Sequence, residues 1–192
     1  MTDFTVTVPA SDPNRLARLN RIRLFSLALA RGCILLAALL AAGLVFYWFS
    51  ASPSSIAADA LMPPEWLAGL GMGRRAAGFA ISFVPLACLI VALMSARRCF
   101  DAFAAGNFFG RDAVKGLRDF ALGLLASALL KPFSAAALSV LLSSDAPAGQ
   151  HRLTLGFGSD TILALLAAGI IAVIAWVLAE AAALADENAQ FI

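Results

Sequence analysis

Histidine occurs once in these 192 residues, at His151, and cysteine three times, at Cys33, Cys88 and Cys99, with no Cys-x-x-Cys pair. A zinc site or a two-histidine haem therefore has no ligand set to draw on, and no metal or other cofactor is expected. Charge is scarce too: 14% of residues are Asp, Glu, Lys or Arg, against about 25% in an ordinary soluble domain. Paired carboxylates for acid and base work are absent from the apolar regions, and one loop histidine supplies neither a base beside a nucleophile nor converging metal ligands. The chain is not expected to be an enzyme. Its net charge of +2 is too small to mark a nucleic-acid surface, so no direct nucleic-acid contact is expected either.

What the chain has in abundance is apolar residue, 61% of the total. Charge-free runs cover 32–58, 76–96 and 161–179, and a fourth is split by a single lysine into 120–130 and 132–144. A hydrocarbon layer of about 30 Å needs ~20 helical residues. The fold class expected is therefore all-α: an integral membrane bundle of four transmembrane helices with lipid as its constant partner. The helices are placed at about 24–50, 76–104, 112–143 and 160–185, within a membrane domain 23–185. Residues 1–22 form an N-terminal segment containing a basic helix, and 186–192 form a tail. The first run exceeds the 7 to 15 residues of a signal-peptide core. It ends in Phe46, Tyr47, Trp48 and Phe49, the aromatic cluster of a retained helix end.

Orientation follows from arginine and lysine. Arg15, Arg18, Arg21, Arg23 and Arg31 precede or open the first helix, and Arg97, Arg98, Arg111, Lys115 and Arg118 lie between the second and third, while the other side has Arg74, Arg75 and Arg152. The positive-inside bias puts both termini and the central loop in the cytoplasm of a bacterial inner membrane. The Arg74-Arg75 pair is discordant with that bias. Arginines at 15, 18, 21 and 23 among leucines and isoleucine suggest a short basic helix lying against headgroups before the chain turns into the bilayer. The first outer link, 50–75, contains Pro53, Pro63 and Pro64, and is expected to lack regular structure, with Trp66 dipping into the interface. The second link, 145–160, alternates over 152–158 as a short extended segment would.

Two places have functional potential. In the central loop, Gly106 and Asn107 should end the second helix near residue 105, and Gly110 should allow a second bend before the third helix starts near Arg111. Phe100 and Phe103 share a helical face and Phe108 and Phe109 follow the turn, which suits either an aromatic hairpin lock or a docking surface. The string F-D-A-F-A-A-G-N-F-F, followed by Leu117 and Arg118, resembles the cytoplasmic signature of the domain-of-unknown-function 2975 family of small bacterial membrane proteins. Pro132 within the third helix and the ending E-A-A-A-L-A-D-E-N-A-Q-F-I are similar to that family as well, over roughly residues 20–192. Members often have threonine or serine where this chain has Phe109-Gly110, so the third helix lacks its usual cap. The resemblance implies four helices in a bacterial inner membrane, often encoded beside a small Cro-like helix-turn-helix regulator. Candidate contacts for such a cytoplasmic regulator are Phe100, Phe103, Gly106, Asn107, Phe108, Phe109, Asp186 and Glu187.

Lys131 is the second place. Counted from Phe120 it lies ~17 Å into the layer, where a charge costs about 2.5–3.5 kcal/mol. Pro132 leaves the Ala128 carbonyl without its helical partner, so the Lys131 ammonium is expected to bond freed backbone oxygens in a kinked helix. A small transporter or pore using Lys131 is the alternative. Glu180, the carboxylate expected within the membrane region, should sit ~15 Å or more from Lys131. Small residues four apart, Ala38 with Ala42, Gly123 with Ser127, Ala135 with Ser139 and Ala168 with Ala172, serve packing within one bundle or a homo-oligomer equally well.

Overall fold

An apolar segment removed from water must bond its own backbone, and a helix is the local way to do so. A computed structural model describes residues 13–67, 69–107, 110–144 and 158–189. The chain forms α1 (Pro13–Ser50), α2 (Pro53–Asp59), a 3-10 turn (Pro64–Leu67), α3 (Met72–Ala104), α4 (Arg111–Leu142) and α5 (Ser159–Ala189). Four of them, α1, α3, α4 and α5, are long and apolar enough to cross a membrane, which makes this a multi-pass membrane protein. The extended segment expected at 152–158 falls, apart from Gly158, outside the described residues, as does His151.

α1 packs on α3, α3 on α4 and α4 on α5, and among the described residues no other pair of long helices makes a comparable interface. The helices therefore stand in a row in chain order and not as a closed four-cornered bundle. Each neighbour runs antiparallel to the last, so both helical chain ends and the α3–α4 turn share one end of the molecule, the basic end. The opposite end carries α2 and the 3-10 turn and is the capped end. Outward faces are apolar throughout: Leu35, Leu39 and Phe46 on α1 and Leu166, Val173 and Trp176 on α5 are all exposed. Lipid, not water, solvates such faces.

The seams between helices are built from small residues. α1 buries Ser26, Ala30, Cys33 and Ala37, while Thr161, Ala168 and Ala175 of α5 recur every seven residues on its buried face. On α4, a Cβ at Gly116 would stand 2.8 Å from the Ser95 carbonyl oxygen and 2.9 Å from the Cys99 amide, so α3 and α4 touch through backbone there. Of the small pairs read from spacing, Ala38 and Ala42 face outward, away from the α1–α3 seam. Four-residue spacing marks a stripe but not which stripe meets a neighbour.

Two further expectations are corrected. The basic segment does not turn before the membrane: α1 is one helix of 38 residues, about 57 Å long, because nothing between Pro13 and Gly32 breaks it. The first link is ordered. Pro53 occupies the first turn of α2 behind the N-cap Ser52, whose Oγ accepts from the Ser55 amide at 3.2 Å, and Pro64 opens the 3-10 turn. Proline starts a helix where the missing amide would have had no partner. Ile56, Met62, Leu67 and Leu70 then bury themselves with Trp48 and Leu142, and Trp66 packs against this cluster.

Candidate functional site

The α3–α4 hairpin owes its shape to one glycine. Gly106 has φ +83°, its amide donates to the Phe103 carbonyl at 3.0 Å, and the Asn107 amide donates to that of Ala102 at 3.0 Å. This double closure is a Schellman motif, and it ends α3 at Ala104. α4 starts at Arg111 behind Gly110, which has no side-chain cap. Phe100 is half-buried against the α1–α3 cluster of Cys33, Ala37, Leu93 and Ala96. Its ring meets that of Phe103 edge-on at 6.5 Å. Phe100 thus belongs to the packing more than to the surface. Phe108 and Phe109 lie outside the described residues. Asp186 and Glu187 are part of α5, which packs on α4; their side chains lie outside the described residues.

Between α3 and α4, at the foot of the hairpin, lies a cleft of about 400 Å³ lined by Arg98, Asp101, Asp112, Lys115 and Asp119, with Ser95 and Gly116 beneath. Arg97 holds Asp101 at 3.5 Å one turn along α3. Three carboxylates and two cations from the two helices share this lining, a mixed-charge cleft in which, among the described residues, Asp112 and Asp119 carry no ion pair. The cleft was not read from the sequence, because its acids come from helices whose register only the Gly116 contact sets.

Lys131 has a partner that sequence reasoning missed. Its Nζ donates to Asp160 Oδ2 at 2.5 Å, with side chains 53% and 65% exposed. Asp160 opens α5 and stands just outside the charge-free run 161–179. Lys131 lies about 17 Å past Phe120 along α4, and its long side chain carries the ammonium to Asp160. Burial of Pro132 turns Lys131 to the outside of the row, where a carboxylate, in place of the freed carbonyls, meets it. Glu180 is exposed on α5, 20 residues from Asp160 and so about 30 Å away along the helix.

At the capped end, Arg75 Nη1 donates to the carbonyls of Trp48 at 2.8 Å and Ala51 at 2.9 Å. Arg74 Nη2 donates to Gly69 at 3.0 Å. The arginine pair that disagrees with the topology bias is thus employed inside the fold, Arg75 capping the last carbonyls of α1. Replacing Arg75 by lysine keeps the charge but loses the planar fork. We expect it to lower stability by about 1–3 kcal/mol in thermal unfolding of the micelle-solubilised protein, whereas an unchanged midpoint would show that charge alone matters. Under the cap is a cavity of about 410 Å³ between Tyr47, Asp59, Ser82, Leu138 and Ser139. Tyr47 donates to Asp59 at 2.8 Å and Trp48 Nε1 to Ser82 at 3.2 Å across it.

Comparison with curated proteins and with solved structures brings up no match. A family model described as "Protein of unknown function (DUF2975)" matches residues 56–192. The match takes in most of the cap, α3, the hairpin, α4 and α5, and leaves α1 outside, a shorter span than roughly 20–192. It includes the hairpin glycine, the α3–α4 cleft and the Lys131–Asp160 pair, and because it covers well over half of the chain, this protein belongs to the DUF2975 family.

Proposed function

We propose that this protein is a non-enzymatic membrane partner in the bacterial inner membrane, with its basic end in the cytoplasm, and that the α3–α4 hairpin holds a small helix-turn-helix regulator there. The observation that supports this most is the cleft lined by Asp101, Asp112 and Asp119 together with Arg98 and Lys115. A DNA-binding domain presents a cationic face to phosphates, and Asp112 and Asp119, which carry no ion pair among the described residues, offer that face carboxylates that compete with phosphate. Arg98 and Lys115 beside them suit acids on the same partner. Occupying the cleft would keep the regulator off DNA. The arginine-rich end, which the positive-inside bias assigns to the cytoplasm, contains this cleft.

The transporter alternative draws no support from Lys131, whose ammonium is matched by Asp160 on the outer side of the helix row. The test couples orientation with capture. In a chain whose Cys33, Cys88 and Cys99 are replaced by alanine, a cysteine in place of Asn107 should react with an impermeant maleimide in inverted vesicles and not in intact spheroplasts. Solubilised membranes should co-purify the regulator encoded alongside. Asp112→Lys with Asp119→Lys should reduce recovery at least tenfold. Capture that is undiminished by charge reversal, or labelling from the outside, would sink the proposal.

A further inference from the structure

A second groove, of about 850 Å³, runs between α4 and α5 at the basic end. Arg111, Lys115 and Arg118 line one wall, and Leu122, Val173 and Trp176 lie along the rest. Steps of four and three residues put the three cations on one helical face. All three are exposed, and among the described residues none of them is ion-paired. Trp176, 81% exposed, leaves its ring uncovered.

The groove straddles the edge of the apolar layer. The charge-free run of α4 begins at Phe120, just past Arg118, and that of α5 ends at Ala179, three residues past Trp176. Its cations therefore stand at headgroup level and its apolar portion, from Trp176 to Leu122, reaches into hydrocarbon. An occupant must carry negative charge at one end and acyl chain at the other. We propose that the groove binds an anionic phospholipid, its phosphate held by Arg111, Lys115 and Arg118 and an acyl chain laid along Leu122, Val173 and Trp176. Basic pockets between transmembrane helices are known to favour such headgroups. A zwitterionic lipid offers the same phosphate with its charge cancelled, so selectivity should follow headgroup charge. The site does not depend on the regulator reading. Lys115 lines both the groove and the α3–α4 cleft, so the diagnostic substitutions are Arg111 and Arg118, which line the groove alone.

The full chain, reconstituted in phosphatidylcholine vesicles, is titrated with chain-brominated phosphatidylglycerol or chain-brominated phosphatidylcholine, and tryptophan quenching is read. Phosphatidylglycerol should quench at roughly tenfold lower mole fraction, the selectivity expected of a few interfacial cations. Trp176→Phe should remove the selective component, since Trp48 and Trp66 lie at the capped end. Arg111→Gln with Arg118→Gln, or either alone if the double variant accumulates poorly, should bring the two lipids together. Arg97→Gln on α3, outside the groove, should leave selectivity intact. Equal quenching by both lipids in the unaltered chain would overturn the proposal, as would selectivity that survives the groove substitutions or disappears with Arg97→Gln. Full competition by soluble glycerol phosphate would also overturn it, marking a site for a free anion.

Discussion

Replacing Gly78 by alanine is expected to destabilise the protein by about 1–3 kcal/mol, although alanine is favoured over glycine within a helix by about 1 kcal/mol. The sign is decided by Trp48. Its indole lies against the α3 backbone so closely that a Cβ on Gly78 would overlap the ring. The ring has nowhere to go: it is 2% exposed, its Nε1 is tied to Ser82, and the carbonyl of the same residue is held by Arg75. Added volume must therefore part α1 from α3 beneath the cap. Trp48→Ala should cost about 3–5 kcal/mol through the cavity it leaves. With both replaced, alanine at 78 has open space, and the combined loss should fall short of the sum by about 1 kcal/mol or more. Thermal or dodecyl-sulfate unfolding of the purified protein reads all three variants, and strict additivity would show that ring and glycine do not meet.

Gly116→Leu should have the larger effect, a loss of about 3 kcal/mol or more, or failure to accumulate in the membrane. Here the obstacle is main chain. Ser95 O and Cys99 N, which would stand 2.8 Å and 2.9 Å from a Cβ at this position, belong to the α3 backbone, so no rotamer change relieves the clash and the two helices must separate. Separation would also open the α3–α4 cleft, whose floor is Gly116. Gly43→Leu is the matched control, because nothing lies within 4 Å of a Cβ there and the new side chain joins an apolar outward face. Maleimide reaction at Cys99, 1% exposed, offers a second readout: it should be fast only where α3 and α4 have parted. Identical stability and Cys99 reactivity in the Gly116 and Gly43 variants would refute the close approach.

The hairpin and the cap differ in how legible they were. Gly106 ends α3 by a local mechanism, a left-handed residue followed by two closing amides, so its consequence can be read without knowing any neighbour. Pro53 and Pro64 are ambiguous in isolation. The same ring that interrupts a helix also opens one, and which happens here depends on Ile56, Met62 and Leu67 finding Trp48 and Leu142 to bury against. Phe100 illustrates the same limit: its helical face was evident, but that α1 would cover it was not.

Composition and spacing alone determined that four segments are membrane-spanning helices and where most of them end, because in lipid a charge-free stretch of about 20 residues has one inexpensive way to bond its backbone. Tertiary structure decided which faces meet, that the helices form a row, and that Asp160 rises to Lys131 while Arg75 closes α1. Helices apolar on every side have no water-driven preference for one neighbour. Their register is set instead by shape, by the small residues at Gly78, Gly116, Ala168 and Ala175, and only when those surfaces come together do distant charges acquire partners.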